Sequence, residues 1–155
     1  MKMFRRVFLW WLFMFWQGGF LFYGAVVVTI GTDVQGSDFA QGLITRRVAV
    51  AINVTGLAVV LFWMWDLIAE RDTRPWQRWS AWIFLLATLA VLVWLHPQMD
   101  ALIDAEHEKL LDREWFRYLH RWYLRVSTAQ WIASVAFTFW TLQNWRDTDR
   151  RAGPS

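Results

Sequence analysis

Cysteine is absent from this 155-residue chain, and proline occurs only three times. Without cysteine the protein has no disulfide bond, no thiolate metal ligand and no cysteine nucleophile. Asp, Glu, Lys and Arg are also missing from four long stretches, which cover residues 7–32, 48–65, 79–99 and 126–145. Because an α-helix rises about 1.5 Å per residue, roughly 20 apolar residues cross the hydrocarbon core of a bilayer. The four uncharged stretches therefore predict four membrane-spanning helices.

Tryptophan, by contrast, is abundant, with 14 residues in the chain. Its indole ring favours the membrane–water interface, where the ring can be apolar on one side while the N–H is hydrated. Many of the tryptophans lie near the ends of the uncharged stretches, among them Trp10, Trp63, Trp76 and Trp145. Because Trp scores as mildly polar, the mean hydropathy is only +0.23 although 57% of the residues are hydrophobic. This composition favours a membrane protein over a soluble domain.

The predicted fold class is all-α, a four-span transmembrane helical bundle that forms a single integral membrane domain over residues 1–155. The spans are expected at about residues 7–30, 48–68, 78–96 and 122–145, with a short tail over residues 147–155. In this topology both termini and the second loop share one side, which carries nine of the 16 Lys and Arg residues. Because Lys and Arg in short loops favour the cytoplasmic side, we predict a multi-pass protein of the plasma (bacterial inner) membrane with both termini in the cytoplasm.

The segment between the third and fourth spans differs from the other loops. Residues from about 99 to 120 combine dense charges with apolar positions at Leu102, Ile103, Leu110, Phe116 and Leu119. Pro97 is expected to end the third span, because proline interrupts the hydrogen bonding of a helix. We predict that the segment forms an amphipathic outer helix between spans three and four.

Polar side chains recur inside the predicted spans, where they are costly unless they face protein or water. Those of the fourth span share an arc of about 80° on a helical projection. We interpret them as a packing seam between helices, since small and hydroxyl residues allow close approach. A ligand site or a solute path along the same face is the alternative. The residues of the predicted seam are Gln17, Asn53, Ser127, Gln130, Ser134 and Thr138.

The three histidines, His96, His107 and His120, all fall on the predicted outer side, close to several acids. Neutral imidazoles with carboxylates suit divalent metals, and two histidines on neighbouring helices can ligate haem iron. His96 and His120 are therefore candidate haem ligands, and the three histidines with Asp104 are candidate metal ligands. Their spacing matches no metal motif, however, and an interfacial histidine commonly acts as a hydrogen-bonding anchor. We expect no cofactor, and keep haem or a divalent metal as the alternative.

Motifs of known catalytic chemistry do not occur in the chain: there is no nucleophile elbow, phosphate-binding loop, zinc-protease helix or dinucleotide fingerprint. No residue is predicted to be catalytic. Arg46 and Arg47 enter the second span from the outer side and are expected to pair with outer acids or with lipid phosphate. No basic patch with interleaved aromatics lies outside the spans, so nucleic acid is not an expected partner. The expected partners are membrane lipid and other membrane-protein subunits or further copies of the chain.

Several short motifs resemble the transmembrane protein 205-like family of small four-helix membrane proteins, which are largely uncharacterised bacterial proteins. These motifs are Trp16-Gln17-Gly18-Gly19 with Phe20, residues 26–28, Ile44-Thr45-Arg46-Arg47-Val48 with Asn53, His96-Pro97 and Leu119-His120-Arg121. The resemblance implies a four-helix bundle whose more polar loop joins spans three and four, and it implies no settled activity. The family looks remotely similar to copper-resistance proteins and to a haem-binding oxidase, which adds weight to His96 and His120.

Two functional hypotheses follow. The first is a structural or accessory component of the membrane, within a larger complex. The second is a small metal- or haem-binding protein of redox or transport function that uses the outer histidines.

Overall fold

The computed structural model describes residues 2–70, 75–104, 106–107 and 109–152. A first long helix consists of α1 (Lys2–Phe22), a π-helical turn (Tyr23–Val27) and α2 (Val28–Gln35). It is followed by α3 (Asp38–Ala69), α4 (Pro75–Asp100) and α5 (Arg113–Ala152). Two short antiparallel strands, β1 (Ile103–Asp104) and β2 (Lys109–Leu110), lie between α4 and α5. The described residues therefore form an all-α bundle of four long helices with one small hairpin.

Only Gly36 and Ser37 separate α2 from α3. Gly36 has a φ of 62°, a left-handed conformation that glycine adopts without strain, and its N–H donates to the carbonyl of Thr32. The hydroxyl of Ser37 accepts from the N–H of Ala40 and caps the start of α3. Because these two residues end one helix and begin the next, the helices extend well beyond the predicted spans at this end of the bundle.

The prediction of a separate amphipathic outer helix over residues 99–120 is wrong. Pro97 lies inside the last turn of α4, where its missing N–H removes a single bond, and the helix continues to Asp100. The chain then turns into the β1–β2 hairpin. The carboxylate of Asp112 accepts from the N–H groups of Glu114 and Trp115, which caps a new helix start. The residues from 113 to 120 are therefore the first turns of α5 rather than part of an independent helix.

Three of the helices are long and apolar enough to cross a membrane: Lys2–Gln35, Phe39–Ala69 and Pro75–Asp100. The buried core that joins these helices to α5 is rich in aromatic residues. Trp63 packs edge-on against Phe13 and Phe137, with ring centroids 6.1 and 4.9 Å apart, and stacks on Trp145 at 6.1 Å. Trp63 and Trp145 are both buried, so the rings of these two tryptophans pack between helices.

Candidate functional site

A buried carboxylate, Asp66, lies where four helix ends meet. Its side chain is 0% exposed, and its Oδ2 lies 2.8 Å from Nη2 of Arg78, which is also 0% exposed. Its Oδ1 lies 3.0 Å from Nε of Arg5. The indole N–H of Trp145 donates to Oδ2 over 3.2 Å. A single carboxylate on α3 therefore contacts α1, α4 and α5.

A second carboxylate, Glu70, extends this arrangement toward the end of the bundle. It accepts a hydrogen bond from Arg5, and its Oε1 lies 3.3 Å from Nη2 of Arg6. Arg6 also pairs with Asp149 over 2.7 Å and lies over the ring of Trp145. The hydrogen bond from Arg6 holds the pKa of the exposed Asp149 carboxyl below its usual value. We call this set the ion-pair cluster: Arg5, Arg6, Asp66, Glu70, Arg78 and Asp149.

The cluster contains three cations and three anions, so its formal charges cancel. Arg78 makes a further contact to α5, since its Nε donates to the hydroxyl of Thr141 over 3.2 Å. Ions in a low-dielectric interior are tolerated when each is paired and hydrogen-bonded. The ion pairs and hydrogen bonds of the cluster therefore hold the ends of the four long helices together.

The sequence places these six residues on one side of the predicted bundle but does not indicate their pairing. The available signal was local: Asp66 and Glu70, four residues apart, are two of the acids on the side where Lys and Arg predominate. A spacing of four places them on one face of α3. Their arginine partners lie in other helices, so that signal alone could not identify them.

The predicted polar seam faces the protein interior over most of its length. Gln17, Asn53, Ser127, Gln130 and Ser134 are buried and Thr138 is half-buried. Asn53 donates to the hydroxyl of Tyr123 over 3.3 Å and so joins α3 to α5. The hydroxyl of Ser134 donates to the carbonyl of Trp131 in its own helix. These contacts are typical of helix packing.

The aromatic centre of the bundle is nearly filled. Phe13, Trp16, Trp63 and Phe137 help to enclose a void of about 10 Å³. A void of that size is comparable to a single water molecule. This part of the bundle has no room for a solute or a haem.

The candidate ligand histidines are engaged separately. Nε2 of His96 lies 3.0 Å from the carbonyl oxygen of Arg46, and its Nδ1 lies 3.3 Å from a carboxylate oxygen of Asp100. Both ring nitrogens of His96 therefore lie close to oxygen atoms of neighbouring groups. His107 pairs with Asp104 over 2.9 Å. His120 stacks on Phe116.

Within the described part of the chain, no group of three or more His, Asp and Glu side chains is arranged to hold a metal ion. The three candidate histidines are not brought together, since His96, His107 and His120 each contact a different neighbour. The contacts of His96 are those of a hydrogen-bonding anchor between α3 and α4.

Comparison of the chain with protein-family models, curated proteins and solved structures found no match. The resemblance to the transmembrane protein 205-like family stays a prediction that these comparisons do not test.

Proposed function

We propose that this chain is a four-span protein of a bacterial inner membrane, with α5 as the fourth span, and that it serves as a structural or accessory component of a larger membrane assembly. The proposal rests on the distribution of polar and apolar side chains over the bundle and on the pairing of its buried charges.

The observation that carries the proposal is the polarity of α5. Ile132, Val135 and Phe139 are 58%, 49% and 56% exposed, whereas Ser134 and Thr141 are 0% exposed. In water the apolar side chains of a helix turn inward. The reverse arrangement suits a helix whose outer face contacts lipid and whose polar face contacts other helices.

The mean hydropathy of α5 is low because both of its ends carry charged residues and its middle carries several polar residues. Residues 126–145 contain no charged side chain, although they include Ser, Thr, Gln and Asn. Those of the seam are hydrogen-bonded or packed within the bundle, so lipid meets mainly the apolar face. An averaged measure of hydropathy cannot separate the two faces of one helix.

The chemistry of the described side chains supports a structural role. The ion-pair cluster is balanced, its members bind one another, and the aromatic centre is nearly filled. Groups that could carry a reaction are thus used to hold helices together. The outward apolar face of α5 and the exposed Trp11, Trp94 and Trp122 provide surface for lipid or for partner helices.

Native electrophoresis of membranes that contain the chain tests this role. After an alkaline carbonate wash we expect the protein to stay in the pellet. After extraction in a mild detergent, we expect it to migrate in a complex of fixed stoichiometry, well above an 18.5 kDa monomer. Release by carbonate would contradict the membrane placement, and migration as a lone monomer would contradict the accessory role.

A further inference from the structure

A groove opens at the end of the bundle opposite the ion-pair cluster, between the first half of α3 and the end of α4. It has a volume of about 490 Å³, which lies within the range of about 300–1,000 Å³ typical of ligand sites. Its lining combines charged and apolar side chains: Leu43, Ile44, Arg46, Arg47, Val50 and Asp100. We call it the outer groove.

The charges of the outer groove favour an anion. Nε of Arg46 lies 2.8 Å from Oδ1 of Asp100, so the charges of these two side chains neutralise each other. Arg47 is exposed and makes no ion pair with any side chain that the structure describes. Two arginines against one carboxylate leave the lining with a net positive charge.

The apolar part of the lining indicates what kind of anion fits. Ile44 and Val50 are 41% and 47% exposed beside the arginines. A small soluble anion would gain nothing from these side chains. An amphiphile would place its charged group on the arginines and its hydrocarbon along Ile44 and Val50.

The depth of the groove matches the headgroup region of a bilayer. Along α3, Arg47 and Asp66 are about 28 Å apart at 1.5 Å per residue. This separation is close to the hydrocarbon thickness of about 30 Å. If Asp66 lies at one boundary of the hydrocarbon, Arg47 lies at the other, level with lipid phosphate.

We infer that the outer groove binds the phosphodiester headgroup of an anionic phospholipid, with Arg47 as the principal contact and an acyl chain against Ile44 and Val50. This inference rests on the proposed placement of α3 across the membrane. The proposed structural role requires only a surrounding bilayer, and this inference adds one specifically bound lipid.

Native mass spectrometry of the purified full-length chain in mild detergent tests the inference. The probes are phosphatidylglycerol and phosphatidylcholine with identical acyl chains, added at equal concentration. We expect one molecule of phosphatidylglycerol to be retained in preference to phosphatidylcholine. Since one arginine near a membrane surface contributes about 1 kcal/mol toward an anionic lipid, Arg47→Gln should reduce the bound fraction about fivefold.

Arg117→Gln is the matched control, because Arg117 is an exposed arginine near the start of α5 that lies outside the groove lining. It should leave the bound fraction unchanged. Arg47→Lys keeps the charge and should retain most of the binding, which separates loss of charge from loss of fold.

Three outcomes would each overturn the inference: equal retention by Arg47→Gln and the unsubstituted chain, equal retention of the two lipids, or full displacement of phosphatidylglycerol by millimolar inorganic phosphate. All three leave the membrane placement intact, since the carbonate wash tests that placement separately.

Discussion

Asp66 is the residue that joins the ends of all four long helices. Its two oxygens contact Arg5, Arg78 and Trp145, each from a different helix, and water does not reach its side chain. A buried ion pair contributes little relative to a well-packed apolar pair, because both charges lose their hydration. Removal of one partner is a different matter, since it leaves the other charge buried without compensation.

The substitution Asp66→Asn should therefore be severely destabilising. It leaves Arg78 and Arg5 with a neutral amide in place of a carboxylate, and we expect the free energy of unfolding to fall by about 3–5 kcal/mol. Titration of the detergent-solubilised protein with dodecyl sulfate, followed by tryptophan fluorescence, measures this change.

Asp149→Asn is the matched control for Asp66→Asn. Asp149 also pairs with an arginine, but its side chain is 60% exposed, and exposed pairs contribute at most about 1 kcal/mol. Similar losses in the two variants would contradict the view that burial gives Asp66 its importance.

At the scale of helices, α1 and α3 pack closely because Gly56 has no side chain. A Cβ added at Gly56 would lie 2.8 Å from the ring of Trp16, which is itself buried. The close approach lets the indole of one helix lie against the backbone of the other. Small residues serve the same purpose at many membrane helix interfaces.

Gly56→Ala should lower the free energy of unfolding by about 1–3 kcal/mol, as overpacking commonly does. Gly18→Ala should instead raise the free energy of unfolding, because nothing lies within 4 Å of its added Cβ. There alanine gains up to about 1 kcal/mol from its higher helix propensity. The same unfolding titration compares the two, and stabilisation by both would show that Trp16 moves aside at no cost.

The connection between α4 and α5 shows how a local signal can be misread. The apolar positions over residues 99–120 fit a helical period, but Asp112 begins a new helix and the hairpin of Ile103–Asp104 with Lys109–Leu110 interrupts the pattern. Periodicity alone does not report such a break. At the turn between α2 and α3, by contrast, Gly36 and Ser37 are residue types that commonly end and begin helices.

For the whole molecule, the proposed topology makes a prediction that the absence of cysteine renders easy to test. Single-cysteine variants at Met3, Arg117 and Arg151 probe the ends of the bundle, and Val135→Cys probes the middle of α5. In intact cells a membrane-impermeant maleimide should label position 117 alone. After lysis it should also label positions 3 and 151, while Val135→Cys stays unlabelled because lipid surrounds it.

Two results of the labelling experiment would contradict this topology. Labelling of positions 117 and 151 from the same side would show that α5 does not cross the membrane. Rapid labelling at position 135 would show that water reaches the middle of the helix.

The sequence by itself determined which stretches of the chain are apolar and helical. The absence of charge over some 20 consecutive residues is a local property, and a helix satisfies its backbone hydrogen bonds within the same stretch. The burial of Gln17, Asn53 and the polar face of α5 could also be anticipated, because a polar side chain in an apolar helix needs a partner.

Only the tertiary structure decided which charges meet. Arg5, Asp66 and Arg78 lie on three different helices, and they pair because the packing of the bundle brings the ends of those helices together. The histidines show the opposite case. Their shared side of the bundle suggested a common site, but in the structure each histidine contacts a different neighbour. Side chains on different helices are brought together by the packing of the bundle, which no local pattern encodes.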